Sequence, residues 1–185
     1  LIRQAANIAS RAHHAALSIA RAGVTMGEIV STVHDVYVRE NAQSTGKFQI
    51  SEFIFFHQED RESPYQGYSG LQRDAVLKPG DHVYIDLFPM YQHYFADTAR
   101  LWSAGEPRPE VLEMHRAAIT IRNGILNQTR PGASTADLQR GILEAMEDAK
   151  RYEKVGWATG HIHGVGLDIH EPPYTQPIPP FRHYT

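Results

Sequence analysis

Two aspartates and a run of histidines are the residues here whose types and spacing could do chemistry. Asp86 interrupts an apolar stretch, Val83-Tyr84-Ile85-Asp86-Leu87. Strand interiors disfavour aspartate, because burying its charge is costly without a partner. Asp97 follows eleven residues later. If residues 82–88 and 93–102 form a hairpin turning at Tyr91-Gln92, the two carboxylates stand directly opposite, with Cβ atoms about 5 Å apart. Facing carboxylates repel unless a shared proton or a cation lies between them. A pair of divalent ions about 3.5–4 Å apart would suit such a gap. The alternative puts one aspartate in the turn and uses the other to cap Thr98.

The histidines concentrate in Gly160-His161-Ile162-His163-Gly164-Val165-Gly166-Leu167-Asp168-Ile169-His170-Glu171-Pro172-Pro173. Neutral imidazole is a favoured ligand for transition metals and an acid or base near neutral pH. The glycines argue against a helix. In an extended segment the seven-residue gap between His163 and His170 sends the rings to opposite faces, one toward a metal and one toward a substrate. The alternative is a Gly/His-rich surface loop or an artificial metal-binding stretch. His13, His14, His34, His93 and His115 read as ordinary helix-face or loop residues.

The elements that must position these groups follow from periodicity and breakers. Residues 2–22 predict an Ala-rich amphipathic helix that stops at Gly23. Thr25 and Glu28 have capping-box spacing and open a second helix through Ile29, Val33, Val36 and Val38. Residues 50–57 predict a strand and 58–75 a loop. Pro79-Gly80-Asp81 is a turn signal ahead of the strand at 82–88. Helices are expected at 108–129 and from Thr135 to Lys150, separated by Pro131-Gly132. Residues 155–185 read as strand and loop.

Composition narrows the function. The 185 residues carry 18 Lys+Arg and 21 Asp+Glu, a formal charge of −3, with 42% hydrophobic residues. These values fit a folded globular chain and rule out a disordered or collagen-like one. No basic block offers a footprint for nucleic acid, so none is expected as a partner. Cysteine is absent, which leaves Asp, Glu and His as the available metal ligands. The apolar runs are far shorter than the ~20 residues of a spanning helix, so no membrane partner is expected. With no targeting pattern, a cytoplasmic location follows.

There is also an internal echo. Arg21-Ala22-Gly23-Val24-Thr25 resembles Arg130-Pro131-Gly132-Ala133-Ser134, and Glu28-Ile29 resembles Asp137-Leu138, each 109 residues later. Any two helix–turn–helix junctions share some of this. Taken as a duplication, it describes a unit of two helices followed by a hairpin. The second hairpin would then fall at about 191–209, beyond Thr185.

The ordered set Pro79-Gly80-Asp81, Ile85-Asp86, Tyr94-Phe95-Ala96-Asp97-Thr98-x-Arg100 and His163-Gly-Val-Gly-Leu-x-x-His170-Glu171-x-Pro173 resembles the superfamily of methionine aminopeptidases, Xaa-Pro peptidases (prolidases among them) and creatinases. The resemblance runs over essentially the whole chain. It implies the duplicated α+β pita-bread fold, with residues 1–185 a catalytic domain incomplete at its C-terminus. It implies a site for two divalent ions, manganese first, with cobalt, iron or zinc as the other options. Asp86, Asp97 and His163 match metal ligands. His170 matches the histidine that contacts substrate and steadies the tetrahedral intermediate. Two further glutamate ligands would lie past Thr185. A homodimer is expected.

Two departures bear on substrate. Family peptidases carry a histidine 17–18 residues before the first aspartate, where this chain has Tyr68 and Ser69. Tyr68 can donate a hydrogen bond to substrate but cannot act as a base near neutral pH. Leu87-Phe88-Pro89-Met90 replaces the usual Gly-containing turn and is reminiscent of creatinase, which lacks the aspartate ligands. The leading expectation is a metal-dependent hydrolase that cleaves before proline in small peptides, using a metal-bridged hydroxide. The alternatives are a creatinase-like hydrolase or lyase acting on a small molecule, and a catalytically dead peptide-binding relic.

Overall fold

The computed structural model describes residues 1–43, 51–56, 73–149 and 162–174. Tyr68, the expected loop over 58–72 and the tail at 155–161 and 175–185 lie outside the described residues. The chain divides into two compact units, one of Leu1–Pro107 with Val165–His170, the other of Arg108–Gly164 with Glu171–Thr185.

The first unit opens with helix α1 (Ile2–Ile19) and helix α2 (Met26–Arg39). Along α1, Ala5, Ile8, Ala9, Ala12, His13 and Ala16 are buried. Their spacing makes one face, and the small alanines let neighbouring backbone come close. The helix stops at Ile19, earlier than expected. The chain after it is taken up by Leu77, whose carbonyl accepts from Gly23 N–H at 2.8 Å and whose N–H donates to Val24 O at 2.8 Å. Gly23 takes φ +89°, the left-handed conformation that favours glycine. The capping box forms as expected. Thr25 Oγ1 accepts from Glu28 N–H at 3.2 Å, and Glu28 Oε2 accepts from Thr25 N–H at 2.7 Å. Ile29 and Val33 lie on the buried face of α2, with Met26, Val30 and Tyr37. Val38 is 76% exposed and takes no part.

Strands β1 (Ser51–Phe56), β2 (His82–Leu87) and β5 (Thr98–Ser103) form an antiparallel sheet in the order β1-β2-β5. Val83, Ile85 and Leu87 of the central strand are fully buried, in one core with Ile8, Ala9, Ala12, Ile29 and Val33. Strand alternation therefore sends Tyr84 and Asp86 to the opposite face.

The hairpin corrects the expected register. Between β2 and β5 lie the short strands β3 (Met90–Tyr91) and β4 (Tyr94–Phe95), paired as a separate two-stranded sheet. The turn is centred on Gln92 and His93, at φ +47° and +72°. Positive φ at both central residues is the type I′ pattern of a two-residue hairpin. The turn sits one residue later than expected, so Asp86 faces Ala99 instead of Asp97. Pro89 explains why the longer expected strands split, since it has no N–H to give the ladder. Its carbonyl still accepts from Ala96 at 3.1 Å.

The second unit begins with helix α3 (Pro109–Gln128), with proline in its first turn, followed by helix α4 (Thr135–Ala149). The echo holds at atomic detail. Gly132 takes φ +88°, matching Gly23. Ser134 Oγ accepts from Asp137 N–H at 3.1 Å and donates to Asp137 Oδ2 at 2.6 Å. Leu138 and Ile142, 109 residues after Ile29 and Val33, are likewise buried.

Candidate metal centre

The register shift moves Asp97 by two residues relative to Asp86. A shift of two keeps the strand face, so the aspartates become diagonal neighbours across β2 and the residue preceding β5. Asp97 lies where Pro89 has interrupted the ladder.

The two carboxylates and one imidazole meet in the first unit. Burial, followed by the negative charge of Asp97, pushes the Asp86 carboxyl up to about 6. Asp86 Oδ1 is buried and receives no hydrogen bond among the described residues. Its other oxygen, Oδ2, lies 3.1 Å from the Tyr84 hydroxyl, which donates to it. His170 Nε2 stands 3.7 Å from Asp97 Oδ2, with the imidazole largely exposed. The segment bearing His170 is tied to the hairpin where Phe95 N–H donates to Gly166 O at 2.7 Å.

His163 belongs to the second unit. It is half-buried, with Nδ1 2.9 Å from the carbonyl of Gly164. Gly164 and Glu171 exchange backbone hydrogen bonds at 2.7 and 3.0 Å. Residues 163–170 are therefore not one extended strand, and the opposite-face expectation for the two histidines does not apply. The bridge leaves no room at Gly164, where a Cβ would lie 2.5 Å from Pro172 O and 2.7 Å from Glu171 O. Both obstacles are backbone, so Gly164→Ala is expected to pry the bridge open, at a cost of about 1–3 kcal/mol. Thermal melting should show the loss, and catalysis should fall further than stability because the segment carries both histidines. Native melting and turnover in this variant would contradict the geometry.

Two residues of this region escaped the sequence reading. Tyr84 is one, and the signal was its place two residues from Asp86 on the same strand face. The other is His13, which is 6% exposed instead of lying on an open helix face. Its Nε2 is 2.9 Å from Thr98 O and 3.1 Å from Thr98 Oγ1. A carbonyl only accepts, so Nε2 carries the proton. Burial lowers the His13 pKa. The ring also meets Trp102 edge-on, with centroids 5.9 Å apart. His13 thus ties α1 to the residue after Asp97. Its position among Ala9, Ala12 and Ala16 was the available signal.

Comparison with known proteins decides the family. The profile of metallopeptidase family M24 matches residues 1–183. The chain belongs to this family. The M24 chain is 25% identical over 174 residues to a probable dipeptidase PepE of Mycobacterium tuberculosis, covering 94% of this chain and 44% of that protein. Among solved structures it is similar to the X-Pro aminopeptidase of Thermotoga maritima, with TM-score 0.75 and 27% identity over 96% of this chain and 49% of that one. It is also similar in fold to the prolidase of Pyrococcus furiosus, with TM-score 0.76 and 24% identity over 94% of this chain and 49% of that one. The fold is pita-bread, as expected. The M24 chain spans about half the length of the curated relatives it matches.

M24 metallopeptidases use divalent metals, and the donors present here fit one. Carboxylate oxygens with an imidazole suit manganese, iron, cobalt or zinc. Asp86 Oδ1, buried beside a second carboxylate and with no hydrogen bond among the described residues, is an electrostatic cost that a cation would remove. Among the described residues, no helix is long and apolar enough to cross a membrane.

Proposed function

We propose that the whole protein is a dinuclear metal-dependent peptidase that cleaves before proline in small peptides. The observation that carries this reading is the Asp86–Asp97 pair, with a buried oxygen that has no hydrogen bond among the described residues and His170 alongside. Asp86, Asp97 and His163 would hold the ions, with manganese the first choice. When bound, such ions supply Lewis acidity, lowering the pKa of water and polarising a carbonyl.

The chain's own groups divide the remaining work. The carboxylates of Asp86 and Asp97 would hold the positive charge at one face of the sheet. His170 is exposed toward solvent at the edge of the pair, and its N–H would donate to the oxygen of a tetrahedral intermediate. Tyr68 would donate a hydrogen bond on the substrate side, in place of the histidine that related peptidases carry. Preference for proline is supported by the X-Pro aminopeptidase and prolidase among similar structures.

A panel of Xaa-Pro dipeptides and longer Xaa-Pro peptides, run beside creatine-like small molecules with added manganese, tests the reading. Hydrolysis of the proline peptides, lost on chelation, is the expected result. Turnover confined to the small molecules would favour the creatinase-like alternative, for which Phe88-Pro89-Met90 speaks. Metal-free protein that binds peptides without cleaving them would favour the relic.

A further inference from the structure

The structure assigns Tyr84 the role of a positioning residue that dictates which oxygen of Asp86 is offered to a cation. This rests on the reading of Asp86 as a metal ligand.

A free carboxylate has two equivalent oxygens and a rotatable terminal torsion, so either oxygen can turn toward a cation. Here the two are made unequal. Tyr84 and Asp86 sit two apart on the central strand and share a face. The Tyr84 hydroxyl donates to Oδ2 at 3.1 Å. Oδ1 is left buried, with no hydrogen bond among the described residues. A phenol is a donor at every pH below about 10, so it holds Oδ2 without competing for the metal. The half-buried ring is anchored in the middle strand of the sheet, which gives the donor a rigid base. The bond also favours the ionised form of Asp86, opposing the effects of burial and of Asp97. Partners of this kind behind a ligand typically alter metal affinity by about 10–100-fold.

Tyr84→Phe removes the hydroxyl and keeps the ring. Manganese and cobalt uptake would be measured by titration calorimetry on metal-stripped whole protein, native and variant, together with the visible absorption of the cobalt form. The inference predicts at least about 10-fold weaker uptake and an altered cobalt spectrum, with the metal-free melting temperature within about 2 °C of native. Native affinity and an unchanged spectrum in the variant would overturn it. So would a loss of affinity accompanied by a large fall in metal-free melting temperature, which would mark Tyr84 as merely structural. Failure of the underlying reading looks different, because native protein would then take up neither ion.

Discussion

Asp97→Asn is expected to make the metal-free protein more stable at neutral pH while abolishing its hold on divalent cations. Most ligand substitutions only subtract, so this opposition is diagnostic. Asp86 ionises at about 6 in the folded protein, against an ordinary 3.8. The folded state therefore holds that proton more tightly than the unfolded chain does. Stability from this group is complete below about pH 3.8 and is lost as the pH rises toward 6. At pH 7 the metal-free protein carries an ionised Asp86 with the negative charge of Asp97 as a diagonal neighbour. Asparagine at position 97 removes that charge, so the loss above pH 4 should shrink by about 1 kcal/mol. That corresponds to a rise of roughly 2–4 °C in melting temperature at pH 7 for a chain of this size, and to little change near pH 3.5. Manganese should raise the native melting temperature at pH 7 and leave the variant unmoved. Melting curves at several pH values, with and without the ion, check both parts.

The second large effect separates the two histidines. His163→Ala is expected to eliminate metal uptake, because it removes a proposed ligand. His170→Ala should keep the metal and lower kcat about 10²–10³-fold, the usual consequence of losing one oxyanion donor. Metal content and steady-state kinetics on the two variants decide the assignment. Unchanged metal content in His163→Ala would remove it from the ligand set. Metal loss in His170→Ala would make it a ligand in place of a substrate contact. The 3.7 Å approach of its Nε2 to Asp97 makes that comparison informative.

Much of the fold could be read from the chain because local signals agreed with one another. The Thr25–Glu28 capping box, the Ala-rich helix α1 and the apolar strand β2 each follow from signals within a few residues. The junctions at Gly23 and Gly132 repeat because the same backbone problem, a left-handed exit from a helix, recurs 109 residues apart. The hairpin register was harder. Gln92-His93 lacks the Asn-Gly or Asp-Gly that marks a type I′ turn, so nothing local placed the turn centre. The aspartate pair survived the error because the shift was even and left both side chains on one face. Tyr84 and His13 were missed for a different reason. Their roles rest on contacts made by the folded sheet, one a distance across two residues and the other across 85.

The central claim is that the Asp86–Asp97 face was built to hold divalent cations. Titrating metal-stripped whole protein with manganese at pH 7, beside the Asp86→Asn variant, tests it most directly. Saturable uptake by the native protein and none by the variant is the expected result. Uptake that is absent in the native protein, or undiminished in the variant, would contradict it.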